Sequence, residues 1–360
     1  MQRNKIFIGI LAIFVVYFLA KHTTLFFVKN TIEKEFTKIT GLELQLGRIS
    51  YSLLTFSGSA SHIVLKDNDR PLFSLQKAKL NLSLLPLLSQ KIKIQSITVK
   101  RPQVMLYKKG EYFNYAKLIA PMQETSSPRP RKTASQKKEA FVFPFKIEIN
   151  KIRVKDFMLS YVEKFKSEEF NYAITQGNLT VTHLGYPHME NAQVELSMLF
   201  PQKTKATFQG TASFTAQKDL KFNGALNMKN LDLSRFKIFM LEHYGIALDS
   251  GSSTVTSEIS LRNTKFFTKN KVSVSNLDFT SGGSIGGTVL TQLTKPLLAA
   301  QKITDQKTMN FEFTMNGDIA DKNLNYIDLM GNAVASGFYK QISNTGEDVL
   351  KQIEDLLPSF

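Results

Sequence analysis

The segment Lys91–Lys100, KIKIQSITVK, decides the fold, together with its echo at Lys146–Lys155, KIEINKIRVK. Each carries two apolar residues at alternate positions, a two-residue gap, and two more at alternate positions. These are Ile92, Ile94, Ile97 and Val99 in the first, and Ile147, Ile149, Ile152 and Val154 in the second; Lys100 and Lys155 end them. The spacing returns at Leu44, Leu46, Ile49, Tyr51; at Leu179, Val181, Leu184, Tyr186; at Leu226, Met228, Leu231, Leu233; and at Val272, Val274, Leu277, Phe279. Alternation is the period of a β-strand with one buried face. A step of three would turn the second half of each strand over, so each gap is expected to hold a β-bulge, which restores the facing and bends the strand. The expected fold is therefore mainly β, a long curved antiparallel sheet with one apolar surface and a few short helices.

That surface cannot stay in water. Four such side chains on each of six strands, at ~1.5 kcal/mol apiece, would cost on the order of 36 kcal/mol to expose, against a usual stability of ~5 to 15 kcal/mol. Long helices are too few to cover it. Two solutions remain: a second sheet packed on the first as a closed sandwich or barrel, or a partly open β-groove that holds apolar ligands. The candidate groove lining is Leu44, Leu46, Ile92, Ile94, Ile97, Val99, Ile147, Ile149, Ile152, Val154, Leu179, Val181, Leu226, Met228, Val272 and Val274.

Outward from the repeats, strands without the gap are expected at Leu72 to Ser83, Ala192 to Phe200, Thr204 to Phe214 and Met309 to Gly317. Toward the N-terminus, Ile6 to Ala20 is free of charge and apolar character resumes from Leu25 to Val28. Residues 6–28 reach ~35 Å as a helix at ~1.5 Å per residue, enough for a ~30 Å hydrocarbon core. A cleaved signal peptide needs small residues before the cut, and Phe18 stands where one belongs upstream of Ala20, so an uncleaved transmembrane anchor is expected. Asn30 to Thr40 reads as an amphipathic helix closed by Gly41. A second helix is expected from Asp232 or Ser234 through His243, a third over Thr291 to Lys302, and an amphipathic one over Glu347 to Leu357 capped by Thr345. Between Pro121 and Glu139 alternation stops and Pro, Ser, Lys and Arg take over, which marks a basic flexible linker. The organisation is thus an anchor (1–28), an N-terminal β region (29–119), the linker (120–140), a C-terminal β region (141–343) and a terminal helix (344–360).

With no cysteine in 360 residues, thiol chemistry, disulfides and Cys-ligated metals are excluded. The net charge of +16 suits an anionic neighbour. Nucleic acid is disfavoured as that neighbour, because the cations spread along strand faces and the linker of a membrane-tethered chain. The five histidines are scattered, and His183 and His188 lack the i, i+4 spacing of a zinc protease. Gly282, Ser284 and Gly286 fit G-x-S-x-G, yet no histidine follows His243 to complete a hydrolase triad. The run to Gly287 and Thr288 has P-loop spacing without the lysine, and Asp67, Asn68 and Asp69 suit a turn rather than a calcium loop. No catalytic residue, metal or cofactor is expected, and the chain reads as a non-enzyme.

The segment His62–Leu118, HIVLKDNDRPLFSLQKAKLNLSLLPLLSQKIKIQSITVKRPQVMLYKKGEYFNYAKL, gives a strand, a turn before PLFS, the LNLSLLPLL segment, an I-x-I-x-x-I-x-V strand and RPQVMLYKKGEYFN. Together with NLDLSRFKIFMLEHYGIALDSGSSTVTSEISL (Asn230–Leu261), VSVSNLDF (Val272–Phe279) and PLLAAQKITDQKTMNFEFTMNGDIAD (Pro296–Asp321), this order resembles the AsmA-like family of Gram-negative envelope proteins, with TamB among its larger relatives. The resemblance spans most of the chain, through apolar and turn residues rather than a catalytic signature. It implies an inner-membrane anchor at residues 6–28 with a cytoplasmic N-terminus, a periplasmic curved sheet, and a role in envelope lipid homeostasis or outer-membrane assembly. The expected partner is a phospholipid or other envelope lipid. The alternative is a scaffold for envelope assembly proteins, with a closed β core and no lipid cargo.

Overall fold

The computed structural model describes residues 27, 29–52, 55–67, 70–83, 85–110, 112–115, 146–166, 168–215, 219–244, 246–281 and 308–321. The anchor apart from Phe27, the basic linker, the helices expected over Thr291 to Lys302 and Glu347 to Leu357, and the Gly282–Gly287 motif lie outside the described residues. So do Asn68 and Asp69. Among the described residues no helix is long and apolar enough to cross a membrane.

Helix α1 (29–40) ends where Gly41, at φ 68°, donates its N–H to Thr37 O at 2.8 Å. Only glycine enters that left-handed region without strain. The strands follow: β1 (Glu43–Gln45), β2 (Ile49–Ser52), β3 (Ser57–Asp67), β4 (Arg70–Ser83), β5 (Lys91–Lys100), β6 (Gln103–Lys109), β7 (Tyr112–Phe113), β8 (Lys146–Lys164), β9 (Glu169–Tyr186), β10 (Met189–Leu199), β11 (Lys205–Phe214), β12 (Leu220–Asp232), β13 (Ile246–Arg262), β14 (Lys265–Ser281) and β15 (Thr308–Asp318). A 3₁₀ helix, Leu85–Ser89, joins β4 to β5, and another, Leu233–Phe236, leads into α2 (Lys237–Tyr244) between β12 and β13. Asp232 caps this turn, its carboxylate accepting from the Ser234 N–H at 3.0 Å.

The fifteen strands of the described residues form one sheet, in the order β1-β3-β4-β5-β8-β9-β10-β11-β12-β13-β14-β15; β2 also pairs with β3, β6 lies between β4 and β8, and β7 pairs with β6. Among the described residues no strand pairing joins its two ends. The sheet is antiparallel except at one place: β8 runs parallel to β5 and to β6. This departs from a wholly antiparallel expectation and has a simple cause. Parallel neighbours need a crossover of a dozen residues or more, and the stretch from residue 114 to 145 supplies that length. The two β regions on either side of the linker therefore belong to one sheet.

Bulges sit at gaps in β5, β9, β12 and β14, whereas the gap between Leu46 and Ile49 separates β1 from β2 and further register shifts lie elsewhere, as at Leu65 and Lys66. In β4, Leu80 and Leu82 are two apart and pair with Ile97 and Ile94, which are three apart, so β5 absorbs one extra residue and keeps one face. In β12 the register shifts between Met228 and Leu231, and Asn230 sits there at φ 56°. His183 and Asn276 occupy the same gap position in β9 and β14 at φ 59° and 51°. Asparagine tolerates this left-handed conformation better than most residues.

Among the described residues the largest fully buried side chains, Leu42 and Leu72, lie at one end of the sheet. Leu42, Leu65 and Leu72 form a core completed by Phe36 of α1, Leu44 and Phe73. Glu33 ties the helix down by accepting the Leu46 N–H at 2.6 Å.

Candidate functional site

Residues directly opposite each other in adjacent strands point to the same side, so the register reads out each face of the sheet. One row runs Tyr51, Gly58, Leu80, Ile97, Ile152, Val181, Val194, Gly210, Gly224, Ile259, Thr268, Met315. The next runs Ile49, Ala60, Ala78, Val99, Val154, Leu179, Leu196, Phe208, Leu226, Ser257, Asn270, Phe313. The row displaced by one residue is polar: Ser50, Ser59, Lys79, Thr98, Arg153, Thr180, Glu195, Gln209, Ala225, Glu258, Lys269, Thr314. The sheet thus has one apolar and one polar face across twelve strands.

The repeats pair with one another. Ile92, Ile94, Ile97 and Val99 lie beside Ile147, Ile149, Ile152 and Val154, residue for residue, and Lys100 lies beside Lys155. On the far side of β8, the copy in β9 meets them in reverse order, Val154 against Leu179 and Ile152 against Val181. Leu226 and Met228 continue the face on β12, and Val272 and Val274 on β14, where Val272 lies between Val255 and Phe311. Leu44 and Leu46 are placed differently: Leu44 packs against the α1 core, and Leu46, itself buried, donates its N–H to Glu33 of α1.

Leu80, Ile97, Ile152, Val181 and Val194 are only half-buried, because no described strand lies over them. Two features break the apolar face. Phe208 lays its ring where a Cβ on Gly224 would stand, and it stacks on Phe222 with centroids 5.6 Å apart. A polar island occupies β13 and β14: buried Ser257 donates to Asn270 Oδ1 at 2.6 Å, and Asn270 Nδ2 donates to Thr268 Oγ1 at 2.8 Å.

Helix α2 closes the end of the face formed by β8 and β9. Phe239 packs on Phe170 at 5.2 Å, and Phe236 packs on Tyr172 at 4.8 Å. Under it lies Glu163, 3% exposed, held by Lys108 Nζ at 2.7 Å, Tyr161 Oη at 2.6 Å and His243 Nε2 at 3.1 Å. Burial by itself would raise the Glu163 pKa, but hydrogen bonds from Lys108, Tyr161 and His243 hold it below its ordinary 4.5. Burial, aided by the adjacent carboxylate, pushes the Tyr161 phenol up; burial pushes Tyr172 up to about 12. Every group in this cluster is satisfied by its neighbours, which makes it a fastener for α2. Sequence inspection passed over it, although Lys108 and Glu163 were signalled by standing at apolar positions of their alternations, after Val104, Leu106 and Leu159, Tyr161. They face each other in register.

Among the described residues no cluster of His, Asp and Glu is arranged to hold a metal ion. His62 and His183 sit at left-handed bulge positions, and His243 packs against Phe239 and Phe165.

A single sheet of this breadth, apolar on one side and polar on the other, defines a class of β-groove proteins rather than a sandwich, within the described residues. The AsmA family model matches residues 2–321, and the chain belongs to the AsmA family. No curated protein matches the sequence.

Proposed function

We propose that this chain is a non-enzymatic, membrane-anchored lipid-handling protein of the cell envelope. Residues 6–28 anchor it in the inner membrane with the N-terminus in the cytoplasm, and the sheet stands in the periplasm. Its apolar face shelters phospholipid acyl chains and serves envelope lipid homeostasis or outer-membrane assembly. One observation carries this reading: the row from Leu80 through Ile97, Ile152 and Val181 to Val194 is unbroken in register and uncovered by any described strand.

The energetics suit passive carriage. About a dozen methylenes covered at ~0.8 kcal/mol each amount to ~10 kcal/mol before ordering costs. A bilayer interior offers the same chain a similar gain, so exchange between membrane and protein is close to neutral and runs without a nucleotide site. Membership of the AsmA family supports the envelope assignment.

The test is lipid extraction and mass spectrometry of the full chain purified in mild detergent. At least one phospholipid per chain is expected, reduced in Ile94→Asp and Ile149→Asp but not in Lys93→Ala. A folded chain whose lipid content ignores both aspartates contradicts the reading and favours a scaffold for assembly proteins instead.

A further inference from the structure

The 3₁₀ helix Leu85–Ser89 is the most exposed apolar feature among the described residues: Leu85 is 83% and Leu88 90% exposed. It stands at the tip of the β4–β5 hairpin, where the apolar face begins with Leu82, Ile92 and Ile94. Cations ring it. Lys91 lies beside Lys146 in register, and Lys93 beside Ser83 and Glu148. Glu148 is within 3.6 Å of Lys91, which leaves an excess of positive charge at the tip.

The polar face of these same strands continues the pattern. Lys77, Lys100 and Lys155 oppose one another directly across β4, β5 and β8, with Lys79 and Arg153 on either side of Thr98 in the next row. The five cations line one shallow depression, and none of them makes an ion pair with a described residue. Like charges placed opposite each other in a sheet destabilise it, so the arrangement suits negative charge supplied from outside. The row of Lys79 lies four residues from Ser83, ~13 Å at ~3.3 Å per residue, and the row of Lys77 six, ~20 Å, so the cluster runs back from the tip along the polar face.

An acidic soluble partner would satisfy the lysines and leave the leucines in water. An apolar partner would do the reverse. A bilayer interface with anionic head groups satisfies both, since binding there combines buried apolar area with electrostatic attraction. We propose that the β4–β5 tip is a membrane-docking wedge: Leu85 and Leu88 enter the interfacial layer of an anionic phospholipid bilayer while Lys93, Lys146 and the Lys77–Lys79–Lys100–Arg153–Lys155 face rest on its head groups. This deepens the lipid-handling reading by bringing the rim of the apolar face to a bilayer, yet the two fail separately, because docking needs no cargo.

The chain contains no cysteine, so single labels are clean. Full chain carrying Leu88→Cys, or Asn227→Cys as a control on β12, is labelled with an environment-sensitive dye and reconstituted in phosphatidylethanolamine/phosphatidylglycerol vesicles. The dye at 88 is expected to blue-shift and to be quenched by lipids bearing a nitroxide on a shallow acyl carbon, at least threefold more than the dye at 227. Insertion should fall at least threefold in pure phosphatidylcholine vesicles and in a Lys77→Glu, Lys79→Glu, Arg153→Glu chain, and should persist in Ile94→Asp, which separates docking from cargo. Equal quenching of both labels by aqueous iodide overturns the proposal. So does a dye at 88 shielded from iodide without lipid quenching, which marks a protein partner. Insertion indifferent to lipid charge and to the three glutamates overturns it as well.

Discussion

Replacing Ile152 by aspartate puts a carboxylate in the middle of the row from Leu80 to Val194, between Ile97 on β5 and Val181 on β9. In the lipid-free protein the cost is small. Ile152 is partly exposed, so less than its full burial energy, ~1 to 2 kcal/mol, is lost while the new carboxylate stays hydrated. For a domain of this size each kcal/mol lowers Tm by about 2 to 4 °C. With an acyl chain laid over the row, the carboxylate must give up its water, at an effective penalty of several kcal/mol. At ~1.4 kcal/mol per tenfold, a penalty of ~3 kcal/mol weakens lipid retention on the order of 100-fold. The assay pairs phospholipid per chain, by extraction and mass spectrometry, with Tm by circular dichroism. Thr182→Asp, on the polar face between Lys151 and Gln193, is the control and should change neither. An Ile152→Asp chain that melts within a few degrees of the parent and keeps its full lipid complement would refute the reasoning.

Three further outcomes are expected. Leu72→Ala removes a fully buried side chain from the α1 core and should cost ~3 kcal/mol in denaturant unfolding; a loss under ~1 kcal/mol would show that α1 is not docked there. Glu163 ionises below its ordinary pKa in the folded state, so its contribution is present above pH 4.5 and is lost as pH falls through the lower folded value. Tm measured against pH should therefore drop more steeply on acidification in the parent than in Glu163→Gln, which starts lower at neutral pH; parallel curves would disprove the linkage. Gly177→Ala places a methyl where the Phe157 ring lies and should cost ~1 to 3 kcal/mol by overpacking, partly recovered by adding Phe157→Leu; an unchanged midpoint would contradict the packing.

The strands, their bulges and their apolar sides were legible because each is a local property. Ile92 to Val99 shows period two and its interruption within eight residues, and a turn donor such as Asn230 lies in the gap itself. What pairs with what was not legible, because a strand's own pattern does not name its partner. The parallel placement of β8 on β5 depends on a crossover, and only the shared ending, Lys100 and Lys155, hinted at it. For Leu44, periodicity marks a side as apolar without saying what covers it, and here the α1 core does. The fastener at Glu163 joins β6, β8 and α2, eighty residues apart for His243. Its signal was two opposite charges at apolar positions, readable only once β6 and β8 were known to be neighbours.

The central claim, that acyl chains lie on the apolar face and not on the polar one, is tested most directly by photocrosslinking at adjacent positions of one strand. A photoreactive amino acid is placed at Ile97 or at Thr98 in the full chain, and irradiated cells are scored for covalent phospholipid adducts by mass spectrometry of the purified protein. The account requires adducts at position 97 well above those at position 98. Equal labelling at both positions, or none at 97 in a folded chain, would contradict it.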